Sequence, residues 1–185
     1  DALLSALTQE GLSGSVLIAK HGQVMLSKGY GLANRKQHQN SHPETAFDIG
    51  SIAKTFTAAA IIKLQEQGKL NVNDLLTKHL DDVPEDKGSL TILNLLTHSS
   101  GLENHHARND FQRMRRRTAV QKSLAKDLLF EPGEDWEYSN AGYALLAAII
   151  EVVSQSPVQD YIRHNLLQPL ELNSTGWFGE SPGDL

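Results

Sequence analysis

Cysteine is absent from all 185 residues, which excludes a thiol nucleophile, disulfides and cysteine-ligated zinc while leaving the redox compartment open. Excess positive charge is absent too. The formal net charge is −5, so the chain lacks the electrostatic footprint of a protein that binds nucleic acid or an acidic membrane surface. Its longest apolar run, 144–150, is far too short to cross a bilayer, and a soluble chain with no membrane span is expected. No Gly-x-Ser-x-Gly elbow, phosphate-binding glycine loop or internal repeat occurs, which argues against an α/β-hydrolase, a nucleotide-loop protein and a solenoid. His105-His106 lacks the i,i+4 partner and carboxylate pattern of a metalloprotease, so neither a metal nor a cofactor is expected. The chain starts at Asp1 without a signal-like segment, and the expectation is that an N-terminal piece has been removed.

What is present fits one domain, 1–185, with a sizeable core and ordinary apolar and charged fractions. Its organising stretch is 47–68, FDIGSIAKTFTAAAIIKLQEQG. From Ile52 onward it reads as a mostly apolar helix of good helix formers, ended by Gly68 where a left-handed cap is expected. Ser51 stands at the start of that helix, among backbone N–H groups without intrahelical partners and at the positive end of the dipole, where negative charge on its oxygen is favoured. Lys54 lies three residues on, on the same face and within reach of the Ser51 hydroxyl. Set among Ile52, Ala53, Phe56 and Ala58, it is a candidate neutral base or proton shuttle. Ser-x-x-Lys alone is a weak motif. The apolar helix around it gives it weight, because lysine is seldom placed on a buried helix without a task.

Along the chain, 1–9 predicts a short amphipathic helix ended by Gly11. The runs 15–20 and 23–28, separated by His21-Gly22, predict an antiparallel hairpin whose edges require more strands or another partner. No further strand is expected, and 29–45 reads as polar loop. Asn73 or Asp74 can cap a helix over 75–80; 81–88 reads as a charged loop; Thr91 can cap a helix over 92–98, with Gly101 beyond it. The stretch 108–127 is helix-compatible, 130–140 reads as loop, 142–154 as a strongly apolar helix, and Ser156-Pro157 starts a helix to about Leu166.

Tyr138-Ser139-Asn140 is a second candidate site. In an extended loop Tyr138 and Asn140 face one side and Ser139 the other. A phenolate is stabilised beside a lysine ammonium and can take a proton from serine, and a carboxamide can hold a substrate carbonyl while serving another group. His98, just past a helix end, is expected to bond the last helix carbonyls. Arg113 and Arg115 to Arg117 are expected to form a solvated helix face paired with Asp110 or Asp127.

Several ordered motifs resemble one family. Phe47-x-Ile-Gly-Ser51-Ile-Ala-Lys54-x-Phe-Thr is similar to the nucleophile motif of the serine β-lactamase and penicillin-binding-protein superfamily, in the branch of class C β-lactamases, D-alanyl-D-alanine carboxypeptidases and esterases. Leu95-Leu-Thr-His-Ser-Ser-Gly-Leu102 resembles its Leu-Leu-x-His-x-Ser-Gly-Leu segment, and Phe130-x-Pro-Gly-x-x-Trp-x-Tyr-Ser-Asn140-x-Gly-Tyr143 its Tyr-x-Asn motif. The resemblance implies an α/β fold of the α+β type, an antiparallel sheet packed by helices with a large helical region. Of that sheet this chain carries only the first hairpin. It divides into 1–50 (helix, hairpin, loop), the nucleophile helix 51–68 and a helical region 69–185. It also implies a hydrolase that acylates Ser51, with Lys54 as proton partner, Tyr138 as second base serving the leaving group, and Asn140 as a substrate-amide contact. The Ser51 N–H would supply one arm of an oxyanion hole. Expected substrates are a β-lactam, a D-alanyl peptide or a small ester, and the expected compartment is periplasmic or secreted. The family's third motif, a Lys or His two residues before Gly on a sheet strand, has no match, since Ser174-Thr175-Gly176 resembles it only superficially. The resemblance therefore covers the family's N-terminal half. Three readings stay open: an enzyme, a non-catalytic binding or scaffold protein on the same fold, and a piece that self-associates or needs a complementing C-terminal segment.

Overall fold

The computed structural model describes residues 1–104, 114–177 and 179–180, and the chain divides into two units, Asp1–Asp48 and Ile49–Leu185. In the first, helix α1 (Ala2–Leu7) runs into a 3-10 turn (Thr8–Glu10), as its leucine spacing predicts. Strands β1 (Gly14–Lys20) and β2 (Gln23–Tyr30) pair antiparallel. His21 (φ 49°) and Gly22 (φ 78°) make the two-residue turn, whose paired positive φ values match the right-handed strand twist. The ladder shifts register between Ile18 and Ala19, a bulge. One correction follows at once: 29–45 is not all loop, because β3 (Leu32–Asn34) pairs antiparallel with β4 (Gln39–Asn40). Both strands, three and two residues long, are too short to show an alternating pattern.

The second unit is helical, and its centre is α5 (Asn140–Ser154). Ala141, Gly142, Leu145, Leu146, Ala148, Ile149 and Ile150 are all buried there. Around it pack α2 (Ala53–Glu66), α3 (Ile92–Leu96), α4 (Arg116–Ser123) and α6 (Val158–Ile162). Each fully buried Leu or Ile of this core contributes roughly 2 kcal/mol of transfer free energy. Helix α2 buries Ala60, Ile61 and Leu64, one helical face, and ends as expected at Gly68 (φ 69°). Helix α6 continues into a wide π turn (Arg163–Leu167) and a 3-10 turn (Gln168–Leu170). Among the described residues no single helix is long and apolar enough to cross a membrane.

Several expected boundaries move, each for a visible reason. Over 75–80 only a 3-10 turn (Leu76–Lys78) forms: Leu75 is held extended (ψ 148°) by its bridge to Thr91, and the Leu76 N–H donates to Leu90 O at 2.9 Å. Asp74 does not cap that turn from its N-terminus. Its carboxylate accepts from the Asn71 N–H (2.9 Å) and Lys78 Nζ (2.8 Å) and meets His79 Nε2 at 3.0 Å. Thr91 caps α3 as expected, in a reciprocal box with Asn94, yet the helix stops at Leu96. Helix α5 begins at Asn140, two residues early, with Ser139 as its cap. Pro157 rather than Ser156 flanks α6. Arg116 and Arg117 face Glu151 (3.7 Å) and Asp82 (3.6 Å), not Asp127. His105, His106, Asp110 and Arg113, with the first part of the predicted 108–127 helix, lie outside the described residues.

The Lys78 ammonium and the Asn71 N–H, with His79, hold the Asp74 carboxyl far below its ordinary value of 3.8. A depressed folded-state value stabilises above the unfolded value, and the contribution is lost as pH falls below it. Asp74→Ala is therefore expected to cost about 1–2 kcal/mol at pH 7 in urea unfolding, and the gap to the wild type should narrow by pH 3. An equal gap at both pH values would remove the charge from the explanation.

Candidate active site

Ser51 occupies the 3-10 turn Gly50–Ile52 that leads into α2, and Lys54 follows one turn later. That spacing turns both side chains to one face, and Lys54 Nζ donates to Ser51 Oγ at 3.2 Å. The other half of the site comes from 138–140. The chain enters α5 extended at Ser139 (φ −132°, ψ 113°), so its neighbours point the opposite way. Ser139 itself is 1% exposed, its hydroxyl accepting from the Gly142 N–H (3.0 Å) and donating to Glu103 O (3.2 Å). Tyr138 and Asn140 are thereby turned to the α2 side. Tyr138 Oη and Ser51 Oγ share a hydrogen bond of 2.7 Å, and Lys54 Nζ donates to Asn140 Oδ1 at 2.6 Å. All four residues singled out in the sequence meet at one place.

The lysine's surroundings differ from the expected ones. Ile52 is 63% exposed and Ala53 is exposed, so no apolar sleeve wraps Lys54. Its ammonium lies instead over the Tyr138 ring (4.9 Å) and the Tyr143 ring (5.6 Å). Cation–π attraction and the two hydrogen bonds hold it half-buried against Ser51. Tyr143 donates its hydroxyl to Leu96 O at 3.1 Å, and burial, with Tyr138 nearby, keeps that phenol above its ordinary 10.0 and protonated.

The His98 ring, expected to bond the last helix carbonyls, does not; only the His98 backbone N–H does, to Leu95 O at 3.4 Å. The residue adopts a left-handed backbone (φ 59°), its carbonyl accepts from the Glu137 N–H (3.0 Å), and its Nδ1 accepts from the Ser139 N–H (3.1 Å). Its ring lies 4.7 Å from that of Tyr138 and 5.1 Å from that of Tyr143. Further along, Ser99 O accepts from the Gly133 N–H (2.8 Å) and Gly101 O from the Leu129 N–H (2.8 Å). Residues 98–101 are thus a rail on which 129–139 hangs. Asn104 Oδ1, accepting from the Asn140 N–H at 3.0 Å, completes the fastening of the α5 start. Sequence reasoning missed Asn104, since nothing local marks a residue whose partner lies 36 positions away. Ser174-Thr175-Gly176 lies in an irregular turn outside any strand.

Comparison with known proteins gives a consistent result. The beta-lactamase family model matches residues 1–185. PbpX of Bacillus subtilis (strain 168), which carries a penicillin-binding-protein name, is 33% identical over 177 residues, covering 93% of this chain and 43% of PbpX. The octameric penicillin-binding protein homologue of Pyrococcus abyssi superposes with a TM-score of 0.81 at 32% identity, over 96% of this chain and 43% of that one. EstCE1, a hydrolase with promiscuous acyltransferase activity, gives a TM-score of 0.84 at 26% identity, over 100% of this chain and 54% of its own. This chain therefore spans less than half the length of PbpX. With helices and small antiparallel sheets arranged as in these structures, it belongs to the beta-lactamase family.

Proposed function

We propose that the protein is a serine hydrolase that transfers an acyl group through Ser51, acting on a β-lactam, a D-alanyl peptide or a small ester. One observation carries the reading: the Ser51 hydroxyl lies 2.7 Å from Tyr138 Oη and 3.2 Å from Lys54 Nζ, so two proton-handling groups flank one nucleophile. With the ammonium donating into the Ser51 oxygen, the hydroxyl proton is free to turn toward Tyr138. Ser51 Oγ bonds to the carbonyl carbon, its proton passes through the Tyr138 and Lys54 pair to the departing nitrogen or oxygen, and the bond to that atom breaks. Water then attacks the ester on Ser51, gives up a proton by the same route and releases the acid. Asn140, fixed by Lys54 at Oδ1, presents its amide N–H groups to the substrate acyl chain. The Ser51 backbone N–H is one donor to the oxyanion. Family membership and the hydrolase EstCE1 among the structural neighbours support the assignment.

A fluorescent penicillin and a reactive fluorophosphonate test it, since either reagent should add to the peptide containing Ser51. Ser51→Ala should abolish the adduct and lower hydrolysis by several orders of magnitude. An adduct that survives Ser51→Ala would refute the assignment.

A further inference from the structure

His98 takes no part in the acyl transfer above, yet it is bound to both sides of Tyr138. Its carbonyl holds the Glu137 N–H at 3.0 Å and its Nδ1 the Ser139 N–H at 3.1 Å. A backbone N–H can only donate, so Nδ1 must offer a bare lone pair, and the ring proton belongs on Nε2. Ser139 is 1% exposed, so its N–H has no ready replacement in solvent if that lone pair is lost. We propose that the neutral imidazole of His98 is a positioning residue that holds Tyr138 and Asn140 at Ser51, and that protonating it releases them.

The groups facing His98 agree with this. Tyr138 (4.7 Å, rings tilted 34°), Tyr143 (5.1 Å, 36°) and Trp136 (5.9 Å, edge-on) surround the ring with aromatic surface. Lys54, from α2, supplies the charge. Burial first and the Lys54 ammonium second hold His98 below its ordinary value of 6.5, so it is neutral at pH 7. The sign follows: the clamp is complete at neutral pH and lost only as pH falls below 6.5. On protonation both ring nitrogens become donors, Nδ1–H opposes the Ser139 N–H, and a second cation arises beside Lys54. The extended segment through Tyr138 then loses the Ser139 N–H anchor, while the bonds of the Ser139 hydroxyl and of the Asn140 N–H remain to hold the start of α5. The catalytic consequence rests on the acyl-transfer reading, whereas the hydrogen bond does not.

Two measurements separate them. In the nitrogen-labelled protein, NMR should show His98 as the Nε2–H tautomer at pH 7. The Ser139 amide signal should move in step with His98 protonation as the pH is lowered. Second, the rate of Ser51 acylation by a fluorophosphonate is followed against pH in the wild type, His98→Asn and His98→Phe. The wild type should lose about tenfold per pH unit below its midpoint. Asparagine offers the Ser139 N–H an oxygen that does not titrate, so His98→Asn should keep most of the neutral-pH rate and lack that acid limb. His98→Phe, with a ring but no acceptor, should be at least about tenfold slow at every pH. A protonated Nδ1 at pH 7, a Ser139 amide indifferent to His98, or an unchanged acid limb in His98→Asn would each overturn the proposal. If the wild type is not acylated at any pH, the acyl-transfer reading fails, and the tautomer and the Ser139 amide alone decide whether His98 holds the turn.

Discussion

Lys54→Met is expected to slow acylation of Ser51 by about 10³-fold, the scale of a lost general acid–base partner. Methionine preserves the length and the contact with the Tyr138 and Tyr143 rings but removes both donated hydrogen bonds, the 3.2 Å bond to Ser51 Oγ and the 2.6 Å bond to Asn140 Oδ1. Folding should be little affected, since Lys54 is only half-buried and water can replace it at the amide oxygen. Stopped-flow acylation with a fluorophosphonate reads the rate, and thermal unfolding reads the fold. If the amine and the phenol form one relay, Lys54→Met/Tyr138→Phe should be about as slow as the slower single variant, because two breaks in one path do not multiply. A single variant within tenfold of the wild type would take the lysine off the proton path.

Gly101→Ala carries a large expected stability loss. The backbone there is left-handed (φ 72°), and a Cβ would lie 2.2 Å from the carbonyl oxygen of Phe130. That oxygen belongs to main chain pinned by the Leu129 N–H to Gly101 O bond, so it cannot swing aside as a flexible side chain could. The two effects together should cost about 3 kcal/mol or more, a Tm drop of roughly 6–12 °C for a chain of this size. Gly68→Ala is the control. It has the same hand of backbone (φ 69°) with nothing within 4 Å, and should cost only about 1 kcal/mol. Because 101 is part of the rail beneath 129–139, Gly101→Ala should also slow Ser51 acylation at temperatures where the protein is still folded. Equal losses in the two alanine variants would show that the close approach to Phe130 is unimportant.

Legibility in the sequence followed the range of the interactions. The hairpin was readable from His21-Gly22 and the flanking β-rich runs, α2 from its composition and Gly68, and the core of α5 from its apolar run, because each signal is local. The Tyr138 and Asn140 orientation was readable for the same reason: it needs only the two-residue period of an extended chain. What could not be read were the places where distant backbone competes. At 75–80 the bridge of Leu75 to Thr91 and the Leu76 N–H bond to Leu90 O hold the start extended, and the His98 ring and carbonyl turned to the 137–139 segment, about 40 residues on. A sequence shows that a histidine can bond a carbonyl. It does not show which strand of chain arrives first. The environment of Lys54 was misjudged by a related error, since the apolar neighbours in sequence at 52 and 53 point outward and the contacts come from Tyr138 and Tyr143.

The inward turn of Ser139 between two outward neighbours imposes a parity on the entry to α5. Across the extended step from 138 to 140, at the cap of α5, the alternation decides which side chains face Ser51. A shift of one residue at that step would aim the small hydroxyl at Ser51 and drive a phenol into the space beside Glu103 and Gly142. A one-residue change at that step is therefore not tolerable, whereas the turn and bend over 132–135 can take up a change in length and leave the phenol where it is.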